Sequence, residues 1–135
     1  MGIINVYNFD SNGLAKAGLV DSYESLIWTK RFYTTGDCEL YLPASDKMVE
    51  LLVPGRFLLR EDDEMICRIT RVELTTSHDG GDHLIVTGED ATAILGQRII
   101  WNTANCYGNV ETFVRKLITD KLISPARTER TFPAV

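Results

Sequence analysis

Cysteine, histidine and proline are all scarce in this chain, and the first two scarcities each remove a class of chemistry. The three cysteines, Cys38, Cys67 and Cys106, are widely spaced and odd in number. None belongs to a C-x-x-C pair, so neither a zinc ribbon nor a dithiol redox motif is readable. All three are expected as reduced, mostly buried thiols that pack as small apolar groups. No stretch approaches the roughly 18 consecutive apolar residues of a membrane span. The start, Met1 to Val6, lacks the basic end and long apolar run of a signal peptide. The chain is therefore expected to be made in a cytoplasm and to stay soluble. Also missing are a G-x-S-x-G elbow, a phosphate-binding glycine-rich loop ahead of a helix, and an H-E-x-x-H helix. A carboxylate pair for glycoside hydrolysis is assembled by the fold rather than by spacing, and nothing points to one. The sequence nominates no catalytic residue, no cofactor-binding residue and no metal ligand, and no cofactor; the chain is expected not to be an enzyme.

What is present is ordinary globular material. With 135 residues, 44% hydrophobic and 24% charged, the chain is long enough for one domain with a real core and too apolar for disorder. Its net charge of -5 is unevenly placed. Residues 1–113 hold nine Lys/Arg against seventeen Asp/Glu, a net of -8, while residues 114–135 hold five against two, a net of +3. An acidic body repels phosphate backbones, so direct nucleic-acid binding is not expected. The basic end reads as a solvated helix face followed by a loop.

The hydrophobic pattern predicts mainly strands with three helical inserts. Ile3 to Phe9 reads as a strand ended by the turn cluster Asp10-Ser11-Asn12-Gly13. Leu19 to Tyr33, rich in β-branched and aromatic residues, reads as a long strand or an irregular hairpin. Glu39 to Leu42 is a short strand stopped by Pro43. Ser45 is a helix N-cap, with Met48, Leu51 and Leu52 on one face and Pro54-Gly55 as the stop. Arg56 to Arg60, Met65 to Thr76 and His83 to Thr87 are strands, the last two joined by a hairpin turn over residues 77–82. A short helix carries Ile94 and Leu95. A final helix, capped by Asn109, places Val110, Phe113, Val114, Leu117, Ile118 and Leu122 at helical spacing and ends at Ser124-Pro125. No internal repeat and no low-complexity segment is present. The fold class is α+β and β-rich, a barrel-like or strongly twisted antiparallel sheet with two or three short covering helices.

Three clusters invite a functional reading and receive a plainer one. His78 and His83 flank a turn where Asp79 or Asp82 could join them around a metal; solvated turn histidines are expected instead. Glu61-Asp62-Asp63-Glu64 lacks the spaced acidic residues and glycine of a calcium loop and reads as a solvated tight turn. Trp28 is expected to be largely buried in the core, and Arg31, three residues on and facing the other way in an extended strand, to be solvated.

The order of several short segments nevertheless resembles a known family. Asp21-Ser22-Tyr23, Ser25-Leu26-Ile27-Trp28 and Arg31-Phe32-Tyr33 are followed by Gly36-Asp37 and Glu39-Leu40-Tyr41-Leu42-Pro43. Next come Leu51-Leu52-Val53-Pro54-Gly55, the hairpin at Asp79-Gly80, then Leu84 to Asp90 and Ile94 to Arg98. Together these resemble the N-terminal region of siphovirus and prophage tail-tip hub (baseplate hub, tail-associated) proteins over roughly residues 20–100. The resemblance implies a virion structural protein: a ring-shaped hub below the tail tube, usually a trimer, joining the tube to host-contacting parts. Its partners would be further copies of itself, the distal tail protein and the tape measure. Its place would be the virion tail tip, after assembly in the host bacterial cytoplasm. No catalytic residue comes with that core, although some relatives carry a wall-degrading domain further along. The chain is shorter than such proteins, and Arg130 to Val135 does not look like a natural finish. Residues 1–135 are therefore expected to be a single hub N-terminal domain, part of a longer protein or of a degraded prophage gene. The competing expectation is a small β-rich carbohydrate- or receptor-binding module; a fragment of a tail-associated hydrolase ranks third.

Overall fold

The computed structural model describes residues 2–10, 12–78, 80–97, 99–100 and 103–127. Seven strands form one antiparallel sheet: β1 Ile4–Asp10, β2 Gly13–Val20, β3 Ser25–Thr29, β4 Asp37–Pro43, β5 Phe57–Arg60, β6 Ile66–Ser77 and β7 Gly81–Asp90. A helix, α1 Asp46–Leu51, joins β4 to β5. After β7 come a 3-10 helix, Ala91–Gln97, then α2 Val110–Ile118, which runs on as a π-helical turn, Thr119–Ile123. The result is an α+β, β-rich fold, as the sequence pattern implies. No helix among the described residues is long and apolar enough to cross a membrane.

Strand order across the sheet is β2-β1-β5-β6-β7-β4-β3. The two edge strands, β2 and β3, are neighbours in sequence, joined only by Asp21 to Glu24. In a flat sheet, seven strands spaced by roughly 4.8 Å would put those edges about 29 Å apart. Val20 and Ser25 are five Cα steps apart, which reach at most about 18 Å. The sheet must therefore roll toward a barrel and stop short of closing. β-Bulges help it to curl, one where β1 passes Val6/Tyr7 against β2 and one where β6 passes Ile69/Arg71 against β7.

The rolled sheet encloses one core on its concave face. Ile4 and Val6 of β1, Val20 of β2, Leu40 and Leu42 of β4, Leu58 of β5, Ile69 of β6, and Leu84 and Val86 of β7 are all buried in it. Their alternation along each strand is the period-two pattern of a sheet with one apolar face. Leu51 and Leu52 of α1 join the same core. Ser45 caps α1, its Oγ accepting from the Met48 N–H at 3.3 Å. Arg56 donates from Nη1 to the carbonyls of Glu50 (3.0 Å) and Leu51 (2.7 Å), satisfying the last turn. A Cβ on Gly18 of β2 would lie 2.8 Å from Leu51 Cδ1, so glycine is what lets α1 settle on that strand.

Several expectations need correction. Residues 19–33 are not one strand or hairpin. Leu19 and Val20 end β2, residues 21–24 cross the seam, and Lys30 to Gly36 form a loop. The stretch Gly13 to Gly18, too rich in Gly and Ala to read as a strand, becomes one because β1 supplies a full ladder for it. Trp28 packs against the core as expected, but from the edge strand with part of its surface open, and its buried Nε1 lacks a hydrogen-bond partner. Cys38 and Cys67 are buried as expected but joined in a disulfide rather than reduced, and the third cysteine, Cys106, is exposed. The helix α2 covers little: Val110 is 67% and Val114 44% exposed, and only Leu122 of its extension is buried. Its apolar stripe was legible, but a stripe does not say what covers it. Asp79, Arg98 and the chain end from Thr128 lie outside the described residues.

Trp28 now predicts a moderate stability loss. Full burial of a tryptophan makes truncation cost about 3–5 kcal/mol, so a half-buried one should cost about 2 kcal/mol. Urea unfolding of Trp28→Ala followed by circular dichroism checks this; a loss below about 0.5 kcal/mol would make Trp28 a mere surface contact.

Candidate functional site

The sequence nominated no functional side chain, and the structure draws attention to one region it had assigned to a strand. The loop from Lys30 to Gly36 links β3 to β4 and carries Phe32 and Tyr33 at its tip, 91% and 93% exposed. Their rings meet edge to face with centroids 4.9 Å apart. A loop tip in water has no reason to hold two bare aromatic rings, which dominate protein contacts where they are buried. The signals that mark this loop were present: Lys30-Arg31 before the rings and Thr34-Thr35-Gly36-Asp37 after them.

The loop is braced from below. Arg31 donates from Nη1 to the Thr35 carbonyl at 3.2 Å and from Nη2 to the Asp37 carboxylate at 2.7 Å. Lys30 reaches Asp63 in the β5–β6 turn at 3.2 Å, and the Asp90 N–H donates to the Gly36 carbonyl at 3.0 Å. The acidic turn is thus not simply solvated: Asp63 ties it to the loop, and Asp62 accepts from Arg60 at 2.5 and 2.8 Å. Hydrogen bonds from Arg31 and then Thr29 hold the Asp37 carboxyl below the ordinary carboxylate value, as the bond from Arg60 does for Asp62. Beneath the loop lies an open cleft of about 440 Å3, lined by Arg31, Thr34, Glu64, Met65, Asp90 and Thr92 among others. Thr92 is exposed, its backbone N–H and hydroxyl both donating to Asp90 Oδ1 at 2.9 Å. What this arrangement offers is a two-ring contact, braced from below, beside an open cleft of mixed lining. Neither a nucleophile–base pair nor an oxyanion site is arranged there among the described residues.

The histidine pair resolves differently from expectation. His78 is exposed at the end of β6, but His83 is 8% exposed. Its ring stacks on Tyr41 of β4, centroids 4.8 Å apart and planes within 5°. Nε2 lies 3.2 Å from Glu24 Oε1, and Nδ1 lies 3.3 Å from the Gly81 carbonyl. Glu24 belongs to the seam-crossing link, so His83 anchors that link to β7. Burial removes it from any solvated turn pair; the reason is tertiary, since Tyr41 comes from a strand forty residues upstream in a pairing the sequence does not announce. Among the described residues no group of three or more His, Cys, Asp or Glu is placed to hold a metal ion.

Because the folded-state value of Asp37 is depressed, its contribution to stability is present above the ordinary carboxylate range and is lost as pH falls through the depressed value. NMR titration should find Asp37 titrating below a usual aspartate, and Arg31→Ala should move it upward. An unchanged titration in that variant would remove Arg31 as the cause and loosen the braced-loop picture.

Two comparisons with known proteins bear on this geometry. No curated protein matches the chain. A family model described as Siphovirus ReqiPepy6 Gp37-like protein matches residues 3–135, nearly the whole length and every strand of the rolled sheet. The chain therefore belongs to the Siphovirus ReqiPepy6 Gp37-like protein family.

Proposed function

We propose that this chain is a structural part of a siphovirus tail tip, the N-terminal portion of a baseplate hub that joins the tail tube to host-contacting parts. It works as a homo-oligomer among other tail proteins, in the virion after assembly in the host cytoplasm, and it is not an enzyme. The observation that carries this reading is the open seam of the sheet. A rolled antiparallel sheet that stops short of closure leaves β3 with a strand partner on one side only among the described residues. That edge, Ser25 to Thr29, holds no charge and no proline, and Ile27 on it is 58% exposed. Proteins that work alone blunt such edges with charges, prolines or bulges; β2 at the other edge has both Lys16 and a bulge beside it. An unguarded edge suits a protein whose sheet is continued by a neighbour. The membership in a siphovirus family and the residue order of 20–100 support the same reading.

A second reading has one observation in its favour: bare rings such as Phe32 and Tyr33 also serve sugar-binding proteins, so a carbohydrate- or receptor-contacting module is the alternative. The two separate by assembly. The hub reading expects trimers or a multiple of three in light scattering, and Ile27→Lys, which puts a charge on the open edge, should dissociate them without changing the melting temperature by more than a degree or two. A strictly monomeric chain at high micromolar concentration, with glycan-array binding lost in Phe32→Ala/Tyr33→Ala, would replace the hub by the module. Zymography on bacterial cell walls should show no clearing; a cleared band would restore an enzyme.

A further inference from the structure

The disulfide partners do not sit on adjacent strands. Cys38 is on β4 and Cys67 on β6, and β7 runs between them. Strands that flank a third lie roughly 9.6 Å apart in a flat sheet, too far for a bridge, whose Cα atoms stand at most about 7 Å apart. Here the two Cα atoms are 6.8 Å apart, which the inward roll of the sheet makes possible. Something must also clear the way on the concave face. The residue of β7 opposite Cys38 is Gly88, which also lies opposite Ile69, two residues along β6 from Cys67. Leu84 and Val86, the preceding residues of β7 on that face, fill it with side chains, and Gly88 does not. A Cβ there would overlap Cys67 Sγ and stand 2.6 Å from the Arg68 carbonyl oxygen. The missing side chain is the slot through which the two sulfurs meet, 2% and 0% exposed.

We propose that Cys38 and Cys67 form a redox-dependent staple across β7, with Gly88 as the residue that permits it: open in the reducing cytoplasm where the chain is made, closed in oxidising surroundings. The bacterial cytoplasm keeps thiols reduced, whereas a released particle meets an oxidising medium. The particle clause rests on the tail-tip reading; the staple and its glycine do not. Closure balances as two exchange steps. One thiolate attacks a low-molecular-weight disulfide such as oxidised glutathione and releases one reduced glutathione. The second thiolate attacks the mixed disulfide, forms the Cys38–Cys67 bond and releases another. Two protein thiols are oxidised and one glutathione disulfide is reduced to two thiols. Once closed, the bond ties β4, β7 and β6 together on the inner face, where solvent reductants reach it only when the sheet opens.

The test uses the full chain with Cys106→Ser, so that only the two thiols in question remain. Protein refolded from urea in oxidised glutathione should weigh about 2 Da less than the reduced form and take up no alkylating reagent after denaturation. By the entropy of closing a loop of this sequence separation, 29 residues, it should melt on the order of 10 °C higher than protein refolded in reduced glutathione. Cells lysed directly into denaturant with N-ethylmaleimide should yield chain labelled at both positions. Gly88→Ala should remain reactive at both thiols under the oxidising condition, with a melting temperature insensitive to reductant. Should that variant fail to fold, Cys67→Ser replaces it: its melting temperature should equal that of the reduced parent under either condition. Two free thiols after oxidative refolding of the parent would overturn the staple. A bridge already complete at lysis would overturn the redox dependence while leaving the tail-tip reading intact, and a bridge formed equally well in Gly88→Ala would overturn the role of the glycine.

Discussion

The structure hangs on a short piece of chain. Four residues, Asp21 to Glu24, carry the backbone from one edge of a seven-stranded sheet to the other, and no flat sheet permits that. The link is itself held at three points: Tyr23 is buried in the core and its hydroxyl donates to the Gly2 carbonyl at 3.0 Å, the Glu24 N–H donates to the Tyr41 carbonyl at 2.9 Å, and the Glu24 carboxylate meets buried His83. Once the edges are drawn together, the strands turn apolar side chains inward, and those from β1 and β4, each next to an edge strand on opposite sides of the sheet, share one core. The hydrophobic gain of that shared core is what offsets the entropy of rolling the sheet.

Rolling without closing has two consequences, one inside and one outside. Inside, it shortens the separation of strands that are not neighbours, so that β4 and β6 approach over the glycine of β7 and their cysteines touch. Outside, it leaves a seam flanked by β2 and β3. The β3 edge has no strand partner on that side among the described residues. A closed barrel would lack the second feature, since its backbone would be fully paired. An unfinished barrel is a good component for a larger assembly and a poor final product by itself.

The braced aromatic loop sits beside that uncovered edge, since it continues directly from β3. Charge braces its base: Arg31 and Lys30 engage Asp37, the Thr35 carbonyl and Asp63, below tip rings that contact each other. A contact that is ordered before binding loses less entropy when it binds. Edge and rings together leave the β3 end open among the described residues, and both readings of its function look to that side.

The sequence by itself determined which segments are strands and helices wherever periodicity or punctuation was strong. The alternation of β6 and β7 around a Gly-Gly turn, the Ser45 and Asn109 caps, and the stop at Pro43 are all local, carried by neighbouring residues through backbone geometry. It also determined the class of the fold and, through the order of short segments, pointed to a siphovirus protein, the coarser reading that the family match supports. What only the tertiary structure decided were facts about residues far apart in the chain. Gly13 to Gly18 becomes a strand because β1 pairs with it. Phe32 and Tyr33 leave the strand because the chain must turn back to β4. His83 is buried by a tyrosine forty-two residues upstream, and Cys38 meets Cys67 across β7, a meeting that no sequence pattern displays. Local propensity is a matter of tenths of a kcal/mol per residue, while pairing and burial contribute whole ones, so where the two disagree the rolled sheet prevails.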